Sequence, residues 1–185
     1  MTIIKRAWAS LLALTLTGTV GVALGAAPAQ ASDIGIASPS SGYVDGNGGS
    51  TNQWANEGVL GEDYHRHSGA TGLWQEFLYS KGYLAARSDI DCHFGSNTAL
   101  ATANFQADNG LSDDGIVGAA TFGRADDYLT YEGVGTDGFK YYYSGTSTRK
   151  SYFVLLPSSG EFLFKTISGK YGSAYSSTYG TPDFC

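Results

Sequence analysis

The chain has 185 residues, 17 of them acidic and 11 basic, with three histidines and two cysteines. An acidic balance excludes a nucleic-acid partner held by a basic footprint, and it excludes attachment to an anionic cell surface by bulk charge. So few cysteines and histidines leave little material for a metal cluster.

Residues 1–31 read as a secretory signal peptide. Lys5 and Arg6 precede an apolar run from Ala7 to Ala27, and Ala29-Gln30-Ala31 is a small-x-small cleavage site. Thr15, Thr17, Gly18, Thr19 and Gly21 interrupt the run, which argues against a spanning helix. The mature chain is expected to be exported, soluble and free of the membrane. Its charge is uneven: residues 32–127 carry 13 acids against four bases, whereas residues 128–185 carry four against five. In an exported chain an even pair of cysteines usually forms a bridge, so Cys92–Cys185 is expected, pinning the C-terminus to the middle of the chain.

Residues 32–62 are rich in Gly, Ser and Asn and read as a flexible leader, with Trp54, Val59 and Leu60 able to pack back on the helical domain. The first helix is expected from Ser68–Thr71 to Gly82, with Leu73, Phe77, Trp74 and Leu78 at helical spacing. A loop then runs to His93. The second helix is expected to start at Ser96 or Asn97, both competent caps, with Ala101 and Phe105 inward, and to end at Asn109-Gly110. Asp113-Asp114-Gly115 is a turn, and Ile116 and Val117 are expected to be buried. The third helix presents Phe122, Ala125 and Leu129, with Asp126 and Asp127 on its solvated side.

Beyond Tyr131 the period changes. Runs at 139–143, 151–156 and 161–166 are β-branched and aromatic, and Ser/Gly/Pro turns separate them. That spacing predicts an antiparallel meander. Nine of the 13 tyrosines fall in residues 128–185, which sets this segment apart from the helical one. The fold class is therefore a mostly α three-helix domain at 63–130, followed by a small antiparallel β-meander at 131–185, α+β overall.

Four blocks occur in order. Gln75, Leu78, Gly82 and Tyr83 form the first; Phe94, Gly95, Thr98 and Ala101 the second; Phe105, Gln106, Gly110 and Leu111 the third. Asp114-Gly115-Ile116-Val117-Gly118 with Thr121 and Phe122 completes the set. This pattern resembles the small three-helix peptidoglycan-binding domain of exported wall-acting proteins, and the layout resembles small exported proteins of actinomycete-type Gram-positive bacteria. Trp74 stands where the family usually has Leu, and Thr71 where it has a branched apolar residue. The resemblance implies a secreted or wall-associated protein that takes peptidoglycan, through its stem peptide or glycan, as its partner; the non-catalytic reading comes from the residues, since 130–185 hold no His and no Cys but the terminal one. It also implies a shallow groove to which Gln75, Tyr83, Gln106 and Asp114 are the candidate contributors. Each has a bland reading beside it: the glutamines as loop-holding amides, Asp114 as a turn former, and Tyr83, Trp74 and Phe94 as core. Tail tyrosines could stack on sugars if they share one sheet face.

Two other readings stay open. One is a small wall hydrolase, for which Glu132 and Glu161 are the imaginable carboxylate pair. The other is a partner-binding or inhibitor protein, with the tail as the interaction surface. No cofactor is expected. Asp63, His65 and His67 alternate and His93 is the remaining histidine, but the solvated-surface reading outweighs a zinc site.

Overall fold

The computed structural model describes Trp54 and residues 58–166, 168–174 and 185. The expected signal peptide and most of the leader lie outside these residues.

Helix α1, Gly69–Lys81, is capped by Ser68, whose hydroxyl accepts from the Thr71 amide at 3.1 Å, and it ends at Gly82 with φ 90°. A single 3₁₀ turn, Arg87–Asp89, sits in the next loop. Helix α2 is Ser96–Asp108 and α3 is Ala119–Asp126. The N-cap of α2 is Gly95, so neither Ser96 nor Asn97 caps it with a side chain. Two further expectations are corrected. Ile116 is 36% exposed while Val117 is fully buried, because the segment pairs with Leu60 and only alternate residues turn inward. Asp126 is buried, not solvated.

Five strands complete the chain in simple antiparallel order: β1 Thr130–Val134, β2 Lys140–Gly145, β3 Lys150–Leu155, β4 Phe162–Lys165 and β5 Tyr171–Ser173. The middle three are the expected runs. Strands β1 and β5 extend the meander at its two edges, and β1 carries an irregularity between Tyr131 and Gly133.

Helices and sheet share one core. Tyr142, Phe153, Leu155, Phe162 and Phe164 alternate on the inner sheet face and join Leu73, Trp74, Phe77, Phe105 and Phe122 in a single cluster. Helix α1 lies across β2, β3 and β4. Gly72 makes the close approach possible, since a Cβ there would lie 2.5 Å from Cys92 Sγ and 2.7 Å from Phe164 Cζ. Cys92 and Cys185 form a disulfide with Cα atoms 5.9 Å apart.

Polar groups tie the same joint. Glu76 on α1 is 1% exposed. Its carboxylate accepts from Arg87 Nη2 at 2.5 Å and from the Ser151 hydroxyl of β3 at 2.6 Å. Arg149, in the β2–β3 turn, donates to the carbonyls of Leu84 and Ala85. Burial pushes the Glu76 carboxyl above its ordinary 4.5, against the opposing pulls of Ser151 and then Arg87. A carboxyl raised in the folded state contributes stability that is fully present below its unfolded pKa. That contribution is lost as pH rises through the folded value. Replacing Arg87 with Ala removes the counter-charge and makes ionised Glu76 costlier. Solvent already screens part of the pair, since Arg87 is 36% exposed. The variant is expected to lose about 2 kcal/mol at pH 7.5 and clearly less near pH 4.5. Urea midpoints of both proteins at the two pH values check this, and an equal loss at both would refute it.

Candidate functional site

The helical part contains the same polar device twice. In each copy a glutamine comes just after a buried aromatic residue and reaches into the loop ahead of the next helix. Gln75 Nε2 lies within 3.0 Å of Asp91 Oδ1, the His93 carbonyl and Thr98 Oγ1, while its Oε1 accepts from the Asp91 and Cys92 amides. Gln106 Nε2 lies within 3.0 Å of Asp114 Oδ1, the Ile116 carbonyl and Thr121 Oγ1, while its Oε1 accepts from the Gly115 amide at 2.9 Å. In each loop the aspartate also accepts from the amide two residues on, His93 in one and Ile116 in the other. The two loops match residue for residue: Asp91 to Thr98 repeats the spacing of Asp114 to Thr121. Even the backbone repeats, with φ 73° at Gly115 and φ 56° at Cys92. Cys92 thus occupies a left-handed position that a glycine fills in the second copy, and there it forms the disulfide.

Both glutamines are buried, at 0% and 2% exposure. Each amide nitrogen has only two hydrogens to share among three acceptors, so no donor is left for a ligand. Their role is to fix loops. Replacing Gln106 with Leu leaves the Gly115 amide and the Ile116 carbonyl without their partner. It is expected to cost roughly 3 kcal/mol in denaturant unfolding; a loss under 1 kcal/mol would show that the latch is not needed.

The sequence-selected residues do not converge on one spot. Gln106 and Asp114 meet at the second latch, and Asp114 is exposed. Gln75 belongs to the first. Tyr83 donates its hydroxyl to Asp108 at 3.0 Å and sets its ring edge-on to Phe105. Burial, and after it the bond to Asp108, pushes its phenol up to about 12, so it stays a neutral donor. Trp74 and Phe94 are fully buried core.

A cavity of about 360 Å³ opens beside the first latch, lined by Arg66, Asp89, Asp91, His93, Asn97 and Thr98 among others. Gln75 holds Asp91, His93 and Thr98 in place, so it shapes this wall without facing it. Arg66 Nε donates to His93 Nε2 at 2.7 Å, and the His67 and His93 rings stack at 4.3 Å. His93 Nε2 therefore has its lone pair engaged by Arg66. Among the described residues no group of three or more His, Cys, Asp or Glu could hold a metal ion. The cavity juxtaposes a guanidinium, carboxylates and hydroxyls, which suits a small polar ligand with both charges. Arg66, Asp91, His93 and Thr98 were not picked out from the sequence as groove residues, although the repeated Asp-x-x-x-Gly-x-x-Thr spacing was there to be read.

Among the described residues no helix is long and apolar enough to cross a membrane. No curated protein and no solved structure matches the chain. Residues 69–124, which hold α1, α2 and α3 up to Arg124 and both glutamine latches, match the model of a family described as putative peptidoglycan binding domain.

Proposed function

We propose that this chain is an exported, non-catalytic protein that binds peptidoglycan in the cell wall. The observation that carries the reading is the family match over residues 69–124. Export is supported by the signal-like start of the sequence and by the disulfide, which belongs in an oxidising compartment. The cavity beside the first latch is the surface of the helical domain best fitted to a stem peptide, whose termini and side chains carry amides, carboxylates and ammonium groups.

The non-catalytic reading is supported by how the candidate acids are placed. Glu132 lies on β1 and pairs with Lys150 at 2.8 Å; Glu161 precedes β4 and accepts from Ser173. Three strand spacings separate their strands, roughly 14 Å. A glycosidase pair sits about 5–9.5 Å apart. Glu76 is buried against Arg87 and Ser151 and does not face solvent.

Mature protein, from Ser32 onward, is expected to co-sediment with sacculi stripped of teichoic acid, at low and at high salt. Its supernatants are expected to contain no released sugar or peptide. No retention at either salt would sink the binding reading; released fragments would sink the non-catalytic one.

A further inference from the structure

The sheet has a second face. On β2 and β3, Tyr142, Ser144, Ser151 and Phe153 turn toward the helices, so Tyr141, Tyr143, Tyr152 and Val154 lie on the other face, where the three tyrosines are half-buried and cover a Val154 that is itself buried. Register assembles the outward residues. Tyr143 stands opposite Tyr152, and Tyr141 stands opposite Val154, which is in turn opposite Leu163. Tyr171 on the edge strand is half exposed. The rings are held by polar neighbours. Lys150 Nζ lies over one face of the Tyr143 ring, 3.7 Å from its centroid, and 4.9 Å from that of Tyr152, and it bonds Glu132, so a sugar would meet the ammonium together with the ring edges; the Tyr141 hydroxyl donates to Asp137.

We propose that this outer tyrosine face is a binding platform for the glycan strand of the wall. The proposal rests on the peptidoglycan-binding reading and adds a second site to it. Aromatic faces flanked by hydroxyls, an ammonium and a carboxylate suit a pyranose, which offers apolar C–H faces with hydroxyl and acetamido groups at its edge. Fixed rings lose little freedom on binding. Charge favours the same occupant: stem-peptide carboxylates make the polymer anionic, and the sheet region carries net +1 while residues 32–127 carry −9. The sheet region thus lacks the excess of acid that the rest of the chain carries, and its Lys150 offers the polymer a cation. The core shared with the helices places both sites on one body, so a strand bound by its sugars can offer a stem peptide to the helical domain.

The test uses the full mature chain and a soluble hexamer of N-acetylglucosamine, which carries no stem peptide. Amide shifts in β2 and β3 should saturate with the hexamer. Replacing Tyr143 and Tyr152 together by Thr should weaken binding at least tenfold, while Tyr143→Phe, which keeps the ring, should stay within about threefold. A double variant that binds like the parent overturns the proposal, as does a parent whose sheet amides do not respond. Sacculi retention is read separately. Retention without a hexamer response removes the sheet from an otherwise intact wall-binding reading. A hexamer response without retention upholds the glycan face and sinks that reading.

Discussion

Opening the Cys92–Cys185 bridge is expected to destabilise the protein by about 4–5 kcal/mol. The bond spans 93 residues, and a loop of that size restricts the unfolded chain by about that amount in the chain-entropy model. For a domain of this size the midpoint should fall by roughly 10–15 °C. The bridge ties the end of the chain to the loop that Gln75 holds, so its loss should be felt first around Cys92. Which cysteine is replaced should matter. Cys92 has φ 56°, the conformation that Gly115 adopts in the matching loop. A Cys92→Gly variant loses the bridge but removes the left-handed cost, about 1 kcal/mol. It should therefore melt above Cys92→Ser and above Cys185→Ser. Calorimetry of the three variants, with and without reductant, checks both parts. A parent whose midpoint ignores reductant although its thiols become alkylated would refute the first. Equal midpoints for Cys92→Gly and Cys92→Ser would refute the second.

Helices α1 and α2 were legible because each carries its own punctuation, Ser68 before α1 and Gly82 after it and Asn109-Gly110 after α2; α3 was legible through Phe122 and Ala125, but it ends at Asp126, so Leu129 lies beyond it. Strands β2, β3 and β4 were legible as aromatic runs between turns. Strand β1, which contains Gly133 and an irregular step, and β5, with three residues and Gly172, have no such run; they exist because a neighbour offers hydrogen bonds. Single-residue orientations were read less well where partners decide them. Ile116 turned outward because Leu60 pairs with Val117, and Leu60 lies in a stretch whose composition suggested a spacer. The glutamines were legible in type and in their bland role: Gln75 and Gln106 read as loop-holding amides, and they bond loop backbone, with acceptors 16 to 23 and 8 to 15 residues away that recur at the repeated Asp-x-x-x-Gly-x-x-Thr spacing. That the helical and β parts share one core was hidden, since each segment reads as its own amphipathic unit.

Truncating Trp54 should be the most damaging change to that shared core, costing about 3–5 kcal/mol. Trp54 is fully buried. Its indole meets Phe77 of α1, Phe122 of α3, Phe153 of β3 and Phe162 of β4 edge-on, with centroids 5.4–6.2 Å apart. It thus packs four aromatic rings from both layers around itself. Each edge-to-face pair adds to plain burial, and Ala in its place leaves a cavity walled by rings that sheet and helix geometry holds apart. The indole Nε1 is buried with no hydrogen-bond partner among the described residues, a penalty of about 1–3 kcal/mol already present in the parent. Trp54→Phe removes that orphan donor at the expense of a smaller void, so it should lie within about 1 kcal/mol of the parent while Trp54→Ala falls far below. Hydrogen exchange adds the location of the damage. In Trp54→Ala the β3 and β4 amides should lose protection before those of α2, because the sheet loses its central aromatic contact with the helices. Uniform loss across α2 and β3, or an Ala variant as stable as the Phe one, would mean that the two layers are held together by the Glu76–Ser151 and Arg149 bonds and not by this ring.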